Sequence, residues 1–376
     1  FSMGYVLISF LSWLILRFLV LRRLPCGRPA RTVLSCLFFL PILYYAYLQA
    51  SCFIVLPEPS FGTAILMGAW CGTVLIAAPP ASAGVLCLMR FGRKKSMRRV
   101  GAGTCLIFSL FFSSVLVLCG LREGLSVPSV QEVSVNLPAG CDALDGIRMA
   151  VISDLHLGCA TPPGWLEETL RRIKEARADI ILLDGDLSDG RPEDRRSDLA
   201  RLGTLEAPFG VWAVPGNHEY YVDYAGIMAA LPDSVHVLAN SHARLRTSRG
   251  TFVLAGVTDR KARARGLPGP DIEKALSGLS GDGAIGPVLL MSHRPAGWSR
   301  NAARGVVLQI CGHTHGGQFI WNRLFLRLIG RRYLHGLFER NSSLLWVGSG
   351  ASQWFGFPLR VGVPPEIAVL NLHAGS

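Results

Sequence analysis

Five polar motifs stand in order between Asp154 and Gln318: DLHLG (Asp154, His156), LLDGDLSD (Asp186), PGNHE (Asn217, His218), SHRP (His293) and GHTHGGQ (His313, His315). Their side chains are those that hold metal ions. Asp154 and His156, two apart just after an apolar run, can turn into one cleft. The Asp186 carboxylate has two oxygens and can bridge two cations. Asn217 adds a neutral oxygen where more negative charge is unwanted. His293, His313 and His315 add imidazole nitrogens. Such mixed oxygen and nitrogen ligation suits Mn, Fe or Zn better than Mg, with Mn favoured here. Two divalent ions ~3.5–4 Å apart lower the pKa of water toward ~7 and clamp a phosphoryl oxygen.

Any one motif alone is weak, because short Asp/His strings recur by chance. Five in this order, each closing a strand-like apolar run, are specific. The set resembles that of the calcineurin-like metallophosphoesterases, over residues 148–373. The likeness is greatest to the membrane-associated bacterial branch, where GHTHGGQ is followed by a segment like LWVGSGASQWFGFPLRVGVPPEI. The resemblance implies that Asp154, His156, Asp186 and His315 bind a first metal and Asp186, Asn217, His293 and His313 a second. It implies that His218 contacts the phosphate and protonates the leaving oxygen. Every ligand position of the pattern is filled. His236, His242, His335 and His373 read instead as ordinary structural histidines. Asp184 and Asp189 read as turn-forming or outer-sphere groups. Glu219 reads either as orienting His218 or as a plain helix start.

The elements that must position these groups alternate. Strands are expected at residues 148–153, 179–183, 210–214, 251–257, 287–291, 306–310, 344–347 and 366–372, and an amphipathic helix at 165–176. Ligands just beyond strand ends, with helices between strands, imply an α/β domain of two packed mixed sheets flanked by helices.

This domain accounts for residues 148–376 and leaves the first third of the chain to be explained. Half of all residues are hydrophobic and only 17% are charged. Four long apolar runs, at residues 4–21, 33–56, 61–89 and 102–121, are each near the ~20 residues a membrane-spanning helix needs. The expected architecture is therefore a multi-pass α-helical membrane domain (1–121), a linker and leading strand (122–147) and the α/β domain. Residues 1–121 carry eleven Lys/Arg and one acid, Glu58; the remainder carries 27 and 25. The excess charge thus sits between apolar runs, which favours a membrane surface as partner over nucleic acid. Arg22, Arg23, Arg28 and Arg31 fill the first loop, and Arg90, Arg93, Lys94, Lys95, Arg98 and Arg99 the third. Basic loops stay cytoplasmic. The protein is expected in the inner membrane, with its last helix leading out to an extracytoplasmic catalytic domain. Seven of ten cysteines lie in or beside the apolar runs, which argues against a disulfide framework and leaves a single Cys141–Cys159 pair open.

The segment QFIWNRLFLRLIGRRYLHGLFER, residues 318–340, follows the last ligands. Its Arg323, Arg327, Arg331 and Arg332, set among apolar residues, read as a surface for anionic headgroups or a lipid-linked phosphate. The function expected is hydrolysis of a phosphate ester or pyrophosphate on a membrane lipid or envelope precursor. The alternatives are a UDP-diacylglucosamine pyrophosphate hydrolase of lipid A synthesis, whose substrate is cytoplasmic, and a non-catalytic membrane sensor or transporter, which missing ligands would favour.

Overall fold

The computed structural model describes residues 2–50, 58–92, 94–279, 286–340, 342–354 and 357–375. The end of the second apolar run (51–56) and Arg93 lie outside the described residues. The chain divides into a helical unit, Phe1–Glu123 with Phe357–Leu359, and a second unit, Gly124–Gly356 with Arg360–Ser376.

In the helical unit, α1 (Ser2–Ile15), α2 (Arg28–Ala50), α3 (Phe61–Phe91) and α4 (Lys95–Gly124) follow the apolar runs. Ser60 caps α3 by accepting the Thr63 N–H at 3.2 Å. Three helices among the described residues are long and apolar enough to cross a membrane: Arg28–Leu48, Phe61–Phe91 and Ser96–Gly124. The first run departs from expectation. Its α-helix stops at Ile15, and the chain continues as a π turn, Leu16–Val20, and a 3-10 turn, Leu21–Arg23. Leu16, Val20 and Leu21 from these turns pack into the unit's core with Val74, Ala78 and Val85 of α3. Arg17 sits in the π turn, over the Trp13 ring at 5.2 Å and 3.3 Å from the Ser35 hydroxyl.

The second unit holds two six-stranded sheets. In the first, β1 (Ser129–Ala139) lies beside β12 (Glu366–Gly375), then β2 (Arg148–Ile152), β3 (Ile180–Asp184), β4 (Val211–Val214) and β5 (Val235–Val237). In the second the order is β10 (Gly336–Arg340), β11 (Ser343–Val347), β9 (Val306–Cys311), β8 (Val288–Met291), β7 (Gly250–Gly256) and β6 (Ser241–Thr247). Parallel pairs dominate both; β12–β2, β10–β11 and β6–β7 run antiparallel. Short helices connect the strands: α5 (Trp165–Glu175), α6 (Pro192–Ala200), α7 (Tyr224–Ala230), α8 (Ile272–Ala275), α9 (Trp298–Ala302) and α10 (Ile320–Leu328).

The two-residue period of a strand assigns the faces. Met149 and Val151 of β2 point between the sheets, with Leu182, Phe252, Leu254, Leu289, Leu308 and Leu370. Ala150 and Ile152 point the other way, onto Leu166, Leu170 and Ile173 of α5. Both faces of the central strands are covered, which explains their continuous apolar runs. Cys141 and Cys159 are both free thiols.

Candidate metal centre

All the expected ligands lie just past strand C-termini. Asp154 and His156 follow β2, Asp186 follows β3, Asn217 and His218 follow β4, His293 follows β8, and His313 and His315 follow β9. The first two loops run side by side. The Asp154 N–H donates to Gly185 O at 3.0 Å, His156 N–H to Asp186 O at 3.0 Å and Asp189 N–H to Leu157 O at 2.9 Å. Asp154, His156, Asp186, His313 and His315 all have positive φ, uncommon for residues with a Cβ. Strained backbone of this kind concentrates at functional sites. Gly312 lets the β9 loop approach: a Cβ there would lie 2.4 Å from Asp154 Oδ2. The His313 N–H instead reaches both Asp154 oxygens, at 3.1 and 3.0 Å.

Three donor groups result among the described residues: Asp154, His156 and His315; His156, Asp189 and His218; and Asp186, His293 and His313. Asp186 Oδ2 stands between the first and the third, 3.8 Å from His156 Nε2 and 3.0 Å from His293 Nε2. The other Asp186 oxygen accepts the His218 N–H at 2.8 Å. Asn217 Oδ1 accepts from Arg294 Nη2 at 2.7 Å, and Arg294 Nη1 meets His313 Nε2.

The donors fit metal ions for a reason internal to the structure. His293 Nδ1 donates to the Asp184 carbonyl at 2.7 Å, so Nε2 is the nitrogen left for a cation once its proton is displaced. That buried Nε2 faces the Asp186 carboxylate at 3.0 Å. His156 Nδ1 faces both Asp189 oxygens at 3.2 Å, which leaves its Nε2 directed at His315 Nε2, also 3.2 Å away. His315 Nδ1 in turn lies 3.2 Å from the Ser352 carbonyl. Ring nitrogens converging on carboxylates and on one another, out of water, suit cations between them once their protons are displaced.

The electrostatics agree. Burial opposes charge on His156, yet the Asp189, Asp186 and Asp154 carboxylates outweigh it and raise its pKa to about 9. Burial is likewise overcome at His293, whose pKa is held well above the usual value by Asp186 and Asp154. Burial lowers His315 to about 4 and takes His313 well below its ordinary range, with Arg294 adding to the second. Asp154 and Asp186 are pulled below the usual carboxylate range despite burial, Asp154 chiefly by His315 and Asp186 chiefly by His293.

Three neighbours act on the ligands. Asp189 Oδ1 lies 2.5 Å from His218 Nδ1 as well as facing His156, so it orients both rings. It touches Nδ1 of both, not the nitrogens that face the ligand sets. Glu219 does not orient His218: its carboxylate accepts the N–H groups of Leu187 (2.7 Å), Gly216 (2.8 Å) and Asp186 (3.2 Å), tying the β3 and β4 loops together. Arg294 escaped the sequence reading, although it sits inside SHRP. Its Nε lies 2.5 Å from Asp259 Oδ2, and Asp259 is buried.

The other histidines are elsewhere. His236 is exposed against Trp212, His373 is exposed, and His242 Nδ1 lies 2.7 Å from Ala275 O. His335 links Arg323 Nη2 to Glu366 Oε2, both at 3.0 Å. Of the four candidate arginines, Arg323 is thus turned onto His335, whereas Arg327, Arg331 and Arg332 are exposed.

Residues 147–317 match the calcineurin-like phosphoesterase family. A metallophosphoesterase of Helicobacter pylori is 34% identical over 257 residues, covering 67% of this chain and 66% of the relative. A transmembrane protein with metallophosphoesterase domain from Danio rerio is 28% identical over 302 residues, covering 76% and 68%. The Bacillus subtilis metallophosphoesterase YkuE is 29% identical over 240 residues, covering 61% and 80%. The chain spans about two thirds of the length of the first two. After its N-terminal apolar helices the sequence carries a calcineurin-like metallophosphoesterase domain, with groups of Asp and His placed where they could hold metal ions.

Proposed function

We propose that this chain hydrolyses a phosphate ester or pyrophosphate bond on a membrane lipid or envelope precursor. The supporting observation is a juxtaposition: the donor groups end at His315, and the arginine-rich apolar helix α10 begins at Ile320. Divalent ions, manganese favoured, supply positive charge to the phosphoryl group and acidify water when bound. Asp154, His156 and His315 hold one ion; Asn217, His293 and His313 hold the other; Asp186 serves both. Asp189 fixes the His218 ring through Nδ1, so Nε2, 3.9 Å from Asp186 Oδ2, is the atom that hands a proton to the leaving oxygen. Arg327, Arg331 and Arg332 receive the lipid-side phosphate, with Arg323 bracing the helix behind them.

The domain faces away from the cytoplasm in this reading. Arg22, Arg23, Arg28 and Arg31 precede or begin the span Arg28–Leu48, and the next basic group lies between Phe61–Phe91 and Ser96–Gly124. Holding both groups inside sends the last span outward, whether or not α1 crosses. Alkaline phosphatase fused at the C-terminus is then active. An inactive fusion, with a fluorescent cytoplasmic reporter bright in its place, makes the UDP-diacylglucosamine substrate the leading one.

The direct test uses the purified chain in lipid nanodiscs with Mn²⁺, offered a soluble chromogenic phosphodiester and a series of lipid-linked phosphates. Both are expected to be hydrolysed, and a chelator to abolish both. Turnover of the soluble ester alone removes the lipid from the reading; turnover of neither removes the activity.

A further inference from the structure

Helix α10 turns its apolar side outward. Its buried residue is Leu326. A helix advances about 100° per residue, so Ile320, Trp321, Leu324, Phe325 and Leu328 share one arc of about 140°. All five are exposed, Leu328 by 85%, and Ile329 just beyond is exposed too. A surface helix normally keeps this arc for the core. Scattered apolar residues on a surface need no explanation, but a contiguous arc marks a site of contact.

Charge selects the contact. Arg327 borders the arc on the helix, and Arg331 and Arg332 follow it. Residues 318–338 contain no Asp or Glu. An apolar strip edged with arginine and carrying a tryptophan matches the boundary between acyl chains and anionic headgroups. Among the described residues the same chain holds three helices long and apolar enough to cross a membrane, so a bilayer is at hand.

The helix is fixed to the metal loop. The Ile320 N–H donates to Val361 O at 3.0 Å and Asn322 Nδ2 to Gly317 O at 2.8 Å. Gly317, at φ +86°, lies so close that a Cβ would sit 3.0 Å from the Arg323 backbone. What seats α10 therefore also sets the orientation of the cleft.

We propose that α10 is an in-plane membrane helix, whose apolar arc enters an anionic bilayer at the headgroup–acyl boundary while Arg327, Arg331 and Arg332 meet lipid phosphates. This holds whichever ester is cleaved.

The test places a photo-crosslinking benzoylphenylalanine at Phe325 or Leu328 of the full chain, in nanodiscs of phosphatidylethanolamine and phosphatidylglycerol. Mass spectrometry reads the adducts and involves no catalysis, so an inactive enzyme does not affect the result. Both positions are expected to label lipid. Yield is expected to fall at least severalfold in purely zwitterionic nanodiscs, and likewise in the Arg327→Gln/Arg331→Gln/Arg332→Gln variant. Adducts to the chain's own helices, to a second copy, or to no lipid overturn the proposal. So does a lipid yield that ignores headgroup charge.

Discussion

Asp189 Oδ1 lies 2.5 Å from Nδ1 of His218, and the same carboxylate is 3.2 Å from Nδ1 of His156. One acid thus orients a candidate metal ligand and the ring beside it. Burial resists its charge, but His156 and His218 keep its pKa below the carboxylate range. Asp189→Asn keeps the size and removes the charge. Loss of such outer partners typically costs about 10–100-fold in metal affinity or activity. Metal titration and steady-state rates on the same preparation are expected to show both losses. Wild-type values in both would mean that Asp189 is only a turn residue.

His218 is expected to act on the leaving group and not to hold metal. His218→Ala should retain two ions per chain by elemental analysis, while turnover falls by ~10²–10⁴-fold, the usual range for a lost general acid. The deficit should narrow for esters with acidic leaving groups, which depart without a proton. Loss of an ion from this variant would instead make His218 a ligand.

Asp186→Asn should be the most damaging ligand change. Its Oδ2 stands between His156 and His293, at 3.8 and 3.0 Å, nearer than the Asp154 oxygen at 3.9 and 4.0 Å. Neutralising it takes charge from both ions at once. The expected readout is fewer than two bound ions and near-complete loss of hydrolysis. Full activity would end the two-metal account.

How much of this was legible beforehand follows from what each residue does. Strands β2, β3, β4, β8 and β9 were readable because each apolar run stops at an Asp, Asn or His motif. The ligands were readable because their types and spacing are themselves the chemistry. Asp189, Glu219 and Arg294 were visible in the motifs, but their roles depend on which way a loop side chain turns, and spacing does not encode that. Edge strand β6 was missed, though Ala243 and Leu245 alternate with Arg244 and Arg246. The segment 318–340 looked like one basic surface, yet it divides into helix α10 and strand β10. Arg340 on β10 donates to the Ser299 hydroxyl at 3.0 Å, far in sequence from the helix it seemed to belong with.

Metal loading should release protons. The His156 pKa is raised to about 9 and that of His293 well above its ordinary value, so both rings favour a proton before metal binds. Coordination needs their lone pairs. Affinity for Mn²⁺ should therefore climb from pH 6 to 8, by up to about tenfold per pH unit for each proton displaced, and level off above the His156 value. Calorimetry in buffers of different ionisation enthalpy counts the protons. An affinity flat across that range would mean that the rings are neutral before metal arrives.

Arg294 and Asp259 should prove coupled. The guanidinium meets Asp259 through Nε and the ligands Asn217 and His313 through its two other nitrogens. Asp259 is buried, and its other oxygen accepts the Lys261 N–H at 2.7 Å. Arg294→Ala leaves a buried carboxylate without its cation, a change that costs about 3–5 kcal/mol when a pair is fully buried. Asp259→Ala leaves Arg294 untethered beside the second ligand set. The double variant removes both charges and should be less destabilised than the sum of the singles, by roughly 0.5–3 kcal/mol. Chemical denaturation of the four proteins in detergent closes the cycle. Strict additivity would show that the pair is incidental, and that Arg294 is held in place by Asn217 and His313 alone.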